Sequence, residues 1–134
     1  MNKIDHIGIA VGNLKEANQR YTRLFGVEPY KMEEVGSEGV TTSFFTVGES
    51  KIELLEGIGE NNAITKFIEN KGEGIHHIAY DVNDIKSEMK RLKSEGFEIL
   101  NDELRIGADN KLVCFIHPKL TGGVLIELCQ EINN

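Results

Sequence analysis

Apolar residues recur with a period of two from Lys3 to Val11, in an Ile- and Val-rich stretch that predicts a strand. Asn13 then opens a helix, with Glu16 three residues on in the spacing of a capping box. Leu14, Ala17, Tyr21, Leu24 and Phe25 fall at helical spacing and define its buried stripe, and Gly26 stops it. A charged connection containing Pro29 follows. Val40 to Val47 is strand-like, Gly48-Glu49-Ser50 supplies a turn, and Lys51 to Leu55 returns as the next strand. Asn61 to Asn70 reads as a short linking helix with Ile64, Phe67 and Ile68 on one side. Gly74 to Val82 is again a strand. Asp84 caps a helix carrying Ile85, Met89 and Leu92, which ends at Gly96, and strands follow at Phe97 to Leu100, Lys111 to Ile116 and Val124 to Leu128.

The pattern is the same plan written twice. Ile4 to Val11 aligns with Ile75 to Val82 at a constant offset of 71 residues, which places His6 on His77. Lys51-Ile52-Glu53-Leu54-Leu55 resembles Leu125-Ile126-Glu127-Leu128-Cys129, so each half carries one His on its first strand and one Glu on its last. A strand, helix and strands of roughly sixty residues cannot bury a sheet face alone, whereas two such modules can. The expectation is one domain over 1–134, with module 1 at about 1–58, a linking helix at about 61–70 and module 2 at about 72–134. The two modules would pair edge to edge into a curved sheet or half-open barrel around a shared cavity.

Composition narrows the function classes. The chain of 134 residues is long enough for a real core, and 40% hydrophobic with 28% charged residues is ordinary for a globular protein. A net charge of −7 argues against a nucleic-acid surface, although a local basic pocket for an anionic substrate is compatible with it. No stretch approaches the ~20 apolar residues of a membrane span, and no apolar leader precedes the first strand. Cys114 and Cys129 lie in apolar runs and read as buried thiols of a reducing compartment, which makes the cytoplasm the expected location.

Side chains two apart on a strand share a face. His6 therefore points with Gly8 and Ala10, and His77 with Ala79, and these small neighbours leave room for a ligand. Glu53 lies between Ile52 and Leu54, and Glu127 between Ile126 and Leu128, each on the face opposite its apolar neighbours. A single His on a strand is more often a core or surface residue than a ligand, and a Glu alternating with Ile and Leu normally faces solvent. Both coincide here at matched places in both halves, which favours a divalent cation held by His6, Glu53, His77 and Glu127. Such an ion would offset the desolvation of two buried carboxylates at once. Oxygen and imidazole donors suit Co, Mn, Ni or Zn, and the sequence does not choose among them. His76 lies on the face opposite His77 and reads as structural. His117, before Pro118, has no repeat partner and reads as surface or pocket rim.

Several runs then carry a resemblance: Asp5 to Val11, Lys51 to Leu55, Gly72 to Tyr80, His117-Pro118-Lys119, and Gly122-Gly123-Val124-Leu125-Ile126-Glu127-Leu128. Across nearly its whole length the chain resembles the methylmalonyl-CoA epimerases of the vicinal oxygen chelate superfamily, which also holds glyoxalase I and the bleomycin-resistance proteins. The resemblance implies an α+β fold of two βαβββ modules forming an eight-stranded cupped sheet, usually as a homodimer. It implies proton removal at C2 of a malonyl thioester and return on the opposite face, and Glu127 matches a metal ligand that the family also implicates as a base. The chain departs from some bacterial relatives, which carry a glutamate where it has Thr42 and a glutamine where it has Glu53. Glu53 is therefore the candidate second base. Arg105, Lys111 and Lys119 are candidate contacts for the phosphates of an acyl-CoA, with ordinary solvated charges as the alternative reading of each. Two other functions stay open at this point: glyoxalase I, which would use the same four ligand types on a glutathione hemithioacetal, and a non-catalytic module that sequesters a small ligand.

Overall fold

The structure, a computed structural model, describes residues 1–100 and 104–132. Its elements run β1 (Lys3–Ala10), α1 (Leu14–Phe25), β2 (Lys31–Val35), β3 (Val40–Val47), β4 (Ser50–Gly57), α2 (Ala63–Lys71), β5 (Gly74–Asp81), α3 (Ile85–Ser94), β6 (Arg105–Gly107), β7 (Lys111–Ile116) and β8 (Ile126–Glu131), with short 3-10 turns at Ala108–Asn110 and Pro118–Leu120. This is βαβββ twice, linked by α2, in an eight-stranded sheet. The chain divides into two compact units, residues 6–76 on the one hand, and residues 1–5 with residues 77 onward on the other.

In the unit of residues 6–76 the strand order is β2-β3-β4-β1. β1 runs parallel to β4, as a crossover through α1 requires, and the β2–β3 and β3–β4 pairs are antiparallel. Asn13 caps α1 by accepting a hydrogen bond from the Glu16 N–H at 3.0 Å, and Gly26 ends it in the left-handed region at φ 74°. One sheet face packs on α1 through Val11, Phe45 and Leu54 against Leu14 and Ala17, with Tyr21 and Phe25 at the margin. Leu24 departs from the predicted stripe: it is 68% exposed. α2 is capped by Asn62, which accepts from the Thr65 N–H at 2.8 Å while its amide donates to the Ile58 and Gly59 carbonyls. Gly57 lies so close to the Asn62 amide and the Thr65 hydroxyl that a Cβ has no space there.

The other unit repeats the arrangement as β5-β8-β7-β6, with β5 parallel to β8 and α3 on one face. Asp84 caps α3 through the Ser87 N–H at 3.1 Å, and Ile85, Met89 and Leu92 bury against Cys114, Ile116 and Leu128. The start of β1 belongs to this unit: the Asn2 N–H donates to the Asp81 carbonyl at 2.8 Å.

The repeat extends to hydrogen bonds that the sequence pattern did not suggest. The Leu14 N–H at the start of α1 donates to Glu56 Oε2 at 2.9 Å, and the Ile85 N–H at the start of α3 donates to Gln130 Oε1 at 2.8 Å. Each acceptor stands three residues after the Glu of its half, so the last strand of each module satisfies one orphan donor of its own helix.

Three boundaries differ from expectation. The connection after Pro29 contains β2, an edge strand of polar composition. Phe97 to Leu100 forms only an isolated bridge, Ile99 to Ile116, and β6 lies later, at Arg105–Gly107. The last strand starts at Ile126, after the turn closed by the Gly123 N–H on the Pro118 carbonyl, so Val124 is outside it and exposed.

Candidate active site

In the unit of residues 6–76, the face away from α1 carries the chemistry. The β1–β4 register sets Gly8 beside Glu53, and the β3–β4 register sets Phe44 on its other side. His6 reaches the same carboxylate: its Nδ1 lies 3.1 Å from Glu53 Oε2, and both side chains are buried. Phe44 is wholly buried, with the Tyr30 ring 5.8 Å away and the Lys31 ammonium 4.6 Å from its centroid.

The second unit reproduces this setting. Ala79 lies beside Glu127 on β5, and Phe115 lies beside it on β7. His77 Nε2 is 3.3 Å from Glu127 Oε1, again with both side chains buried, and the imidazole meets the Phe115 ring edge-on at 5.9 Å. Each half thus holds a His–Glu pair flanked by one small residue and one phenylalanine. Phe44 and Phe115 stand 71 residues apart, the offset of the first strands, so the signal for this flank was present in the sequence and was missed. Thr42 shares the face of Glu53, fully buried, and its hydroxyl has no hydrogen-bond partner among the described residues.

Each unit thus offers one buried imidazole and one buried carboxylate, donor types that suit a divalent ion of the Co, Mn, Ni or Zn kind. Within each unit the structure brings the predicted His and Glu together. The remaining sequence candidates lie elsewhere. His76 meets the Phe67 ring edge-on at 5.1 Å, and burial, with the Lys71 ammonium second, lowers its pKa to about 4. It is a neutral structural residue at neutral pH. His117 is partly exposed and accepts from the Lys119 N–H at 3.0 Å.

Of the three cations assigned to phosphate contacts, Arg105 opens β6 and Lys119 lies in the turn after β7, both exposed; the Lys119 ammonium is 3.3 Å from Glu98 Oε1. Lys111 differs from the expectation. It opens β7, is buried, and its ammonium contacts Asp5 Oδ1 at 2.6 Å. The sequence reading missed this pair, and the signal for it is weak: two opposite charges in otherwise apolar strands. The two cysteines are buried and free; burial first, then the Glu127 charge, pushes the Cys114 thiol up to about 11, and burial pushes Cys129 up as well.

Comparison with known proteins places this geometry. A family model described as the Glyoxalase/Bleomycin resistance protein/Dioxygenase superfamily matches residues 5–115, and the chain belongs to that superfamily. Within it, the chain is 41% identical over 132 residues to an ethylmalonyl-CoA/methylmalonyl-CoA epimerase of Cereibacter sphaeroides, covering 97% of this chain and 98% of that one. A variant of Streptomyces coelicolor methylmalonyl-CoA epimerase, solved in complex with 2-nitronate-propionyl-CoA, superposes with a TM-score of 0.93 at 33% identity, covering 98% of this chain and 95% of the other. A hypothetical protein from Bacillus halodurans superposes with a TM-score of 0.95 at 43% identity, covering 99% and 96%.

Proposed function

We propose that this chain is an epimerase of methylmalonyl-CoA that works with one divalent ion held by His6, Glu53, His77 and Glu127. The duplicated setting carries the reading: each half offers one buried His–Glu pair beside one small residue and one phenylalanine. The named epimerase relatives support methylmalonyl-CoA over the hemithioacetal of glyoxalase I. They also support a catalyst over a non-catalytic binder. When bound, the ion would supply Lewis-acid stabilisation of the negative charge that develops on the thioester oxygen as C2 loses its proton.

The chain's own residues perform the proton transfers. Glu127 takes the proton from C2 on one face, and the C–H electron pair moves into the thioester. Glu53, protonated and only loosely held by the ion for this step, returns a proton to the opposite face; the two carboxyls then exchange protons with solvent, which restores the starting state, and the reverse direction exchanges the two roles. Phe44 and Phe115 flank the two carboxylates on the neighbouring strands. Arg105 and Lys119, both exposed, are the proposed contacts for the phosphates of CoA, whereas Lys111 is taken up by Asp5. The reading includes a homodimer in the cytoplasm. Among the described residues no helix is long and apolar enough to cross a membrane; sedimentation and cell fractionation test the rest.

Incubation with methylmalonyl-CoA in deuterated water, and separately with the hemithioacetal of glutathione and methylglyoxal, tests the assignment. Deuterium at C2 with no turnover of the hemithioacetal is the expected result. Turnover of the hemithioacetal without deuterium uptake by the thioester would overturn it.

A further inference from the structure

The buried Asp5–Lys111 pair has no part in the proton transfers, and burying both ends of an ion pair is costly. Asp5 is 3% and Lys111 5% exposed, and their charged atoms are 2.6 Å apart. Such pairs are often no more stabilising than apolar side chains of the same volume, so stability alone does not account for this one. The place of this one is specific. β1 begins with the unit of residues 77 onward, tied by the Asn2 N–H to the Asp81 carbonyl and by the Asn2 amide to Asp81 and Asn83 at 2.9 Å each. Asp5 adds a buried anchor to this tie, and the next residue is the imidazole that contacts Glu53. A strand that slips by one residue turns every side chain to the opposite face. At this point a slip would carry His6 away from its carboxylate.

We infer that Asp5 and Lys111 are positioning residues for the metal site, pinning β1 so that His6 is presented as a ligand. The inference rests on the four-ligand reading and adds to it a device that acts through the placement of His6. Groups of this kind typically change metal affinity about tenfold to a hundredfold.

The experiment titrates metal-free protein with Co²⁺ against a competing chelator and records the melting of the metal-free form alongside. In the apolar double variant Asp5→Leu/Lys111→Met, the metal-free protein melts at or above the wild-type temperature while Co²⁺ binds at least about tenfold more weakly. A purely structural pair would give back its binding along with its stability, so Co²⁺ affinity within about twofold of wild type in this variant overturns the inference. Asp5→Glu keeps both charges and lengthens the arm by one methylene, so it gives a second measurement should the double variant fold poorly. Weakened Co²⁺ binding there supports the assignment, and unchanged binding overturns it. Wild-type protein that forms no Co²⁺ complex removes the four-ligand reading before any variant is compared, and this inference with it.

Discussion

Glu53→Gln separates the two carboxylates by role. Glu53 lies in the middle of β4, buried between Gly8 and Phe44, with Oε2 3.1 Å from His6 Nδ1. Glutamine fills the same volume and keeps one oxygen acceptor, so no cavity forms. The stability cost is that of one charge-assisted contact, about 1.5–3 kcal/mol. The catalytic cost is larger: a positioned base contributes ~10²–10⁴ in rate, which at about 1.36 kcal/mol per decade is roughly 2.7–5.4 kcal/mol in the barrier. The variant should therefore fold and lose interconversion of the epimers. The diagnostic assay follows each pure epimer in deuterated water by mass spectrometry, with metal content measured on the same sample so that loss of the ion is not mistaken for loss of the base. The epimer whose C2 proton faces Glu127 should still exchange it for deuterium without inverting, and the other epimer should stay unlabelled. Interconversion at near wild-type rate, or equal labelling of both epimers in metal-loaded protein, would refute a role for Glu53 in proton transfer.

Further outcomes follow from the same structure. Glu56→Ala and Gln130→Ala, each removing the acceptor for the first N–H of a helix, should each destabilise the protein by about 1 kcal/mol in urea melts, with the proton-transfer groups untouched. The folded protein holds His76 at a pKa of about 4 against 6.5 unfolded, so unfolding takes up a proton between those values. Stability should accordingly rise with pH from 4 to 6.5, by up to about 3 kcal/mol, and His76→Phe should flatten that part of the profile. With Cys114 pushed up to about 11 and Cys129 also raised, neither thiol should be alkylated by iodoacetamide in native protein at pH 8, whereas both should react in denaturant.

Much of the scaffold could be read from residue order because its signals are local. Asn13 and Asp84 stand where each helix begins, and the stretches Val40 to Val47 and Lys111 to Ile116 coincide with β3 and β7. What escaped depends on partners distant in sequence. β2 reads Lys-Met-Glu-Glu-Val, with no apolar alternation, because an edge strand needs only one neighbour's ladder and keeps much of its surface in solvent. Phe97 to Leu100 has strand-like composition, but among the described residues its only hydrogen bonds to β7 and the residue after it are from the Leu100 N–H to the Phe115 carbonyl and from the His117 N–H to the Glu98 carbonyl, which is too little for a strand. Leu24 keeps helical spacing yet stands exposed, outside the cluster that packs α1 on the sheet. At the site, the repeat singled out the four His and Glu residues, because a period carries chemistry as readily as packing. Lys111 shows the limit of that reasoning. A lysine opening a strand looks solvated until the fold supplies Asp5.

Each half-sheet has an oily side pressed on a helix and a polar side holding imidazole, carboxylate and phenylalanine. The two sides alternate residue by residue along the same strands, so selection can act on them almost separately. Substitutions under the helices would drift with thermal tolerance, while changes on the reactive side would redirect which small acid is recognised. One pleated scaffold could in this way pass through unrelated chemistries without ever having to be rebuilt.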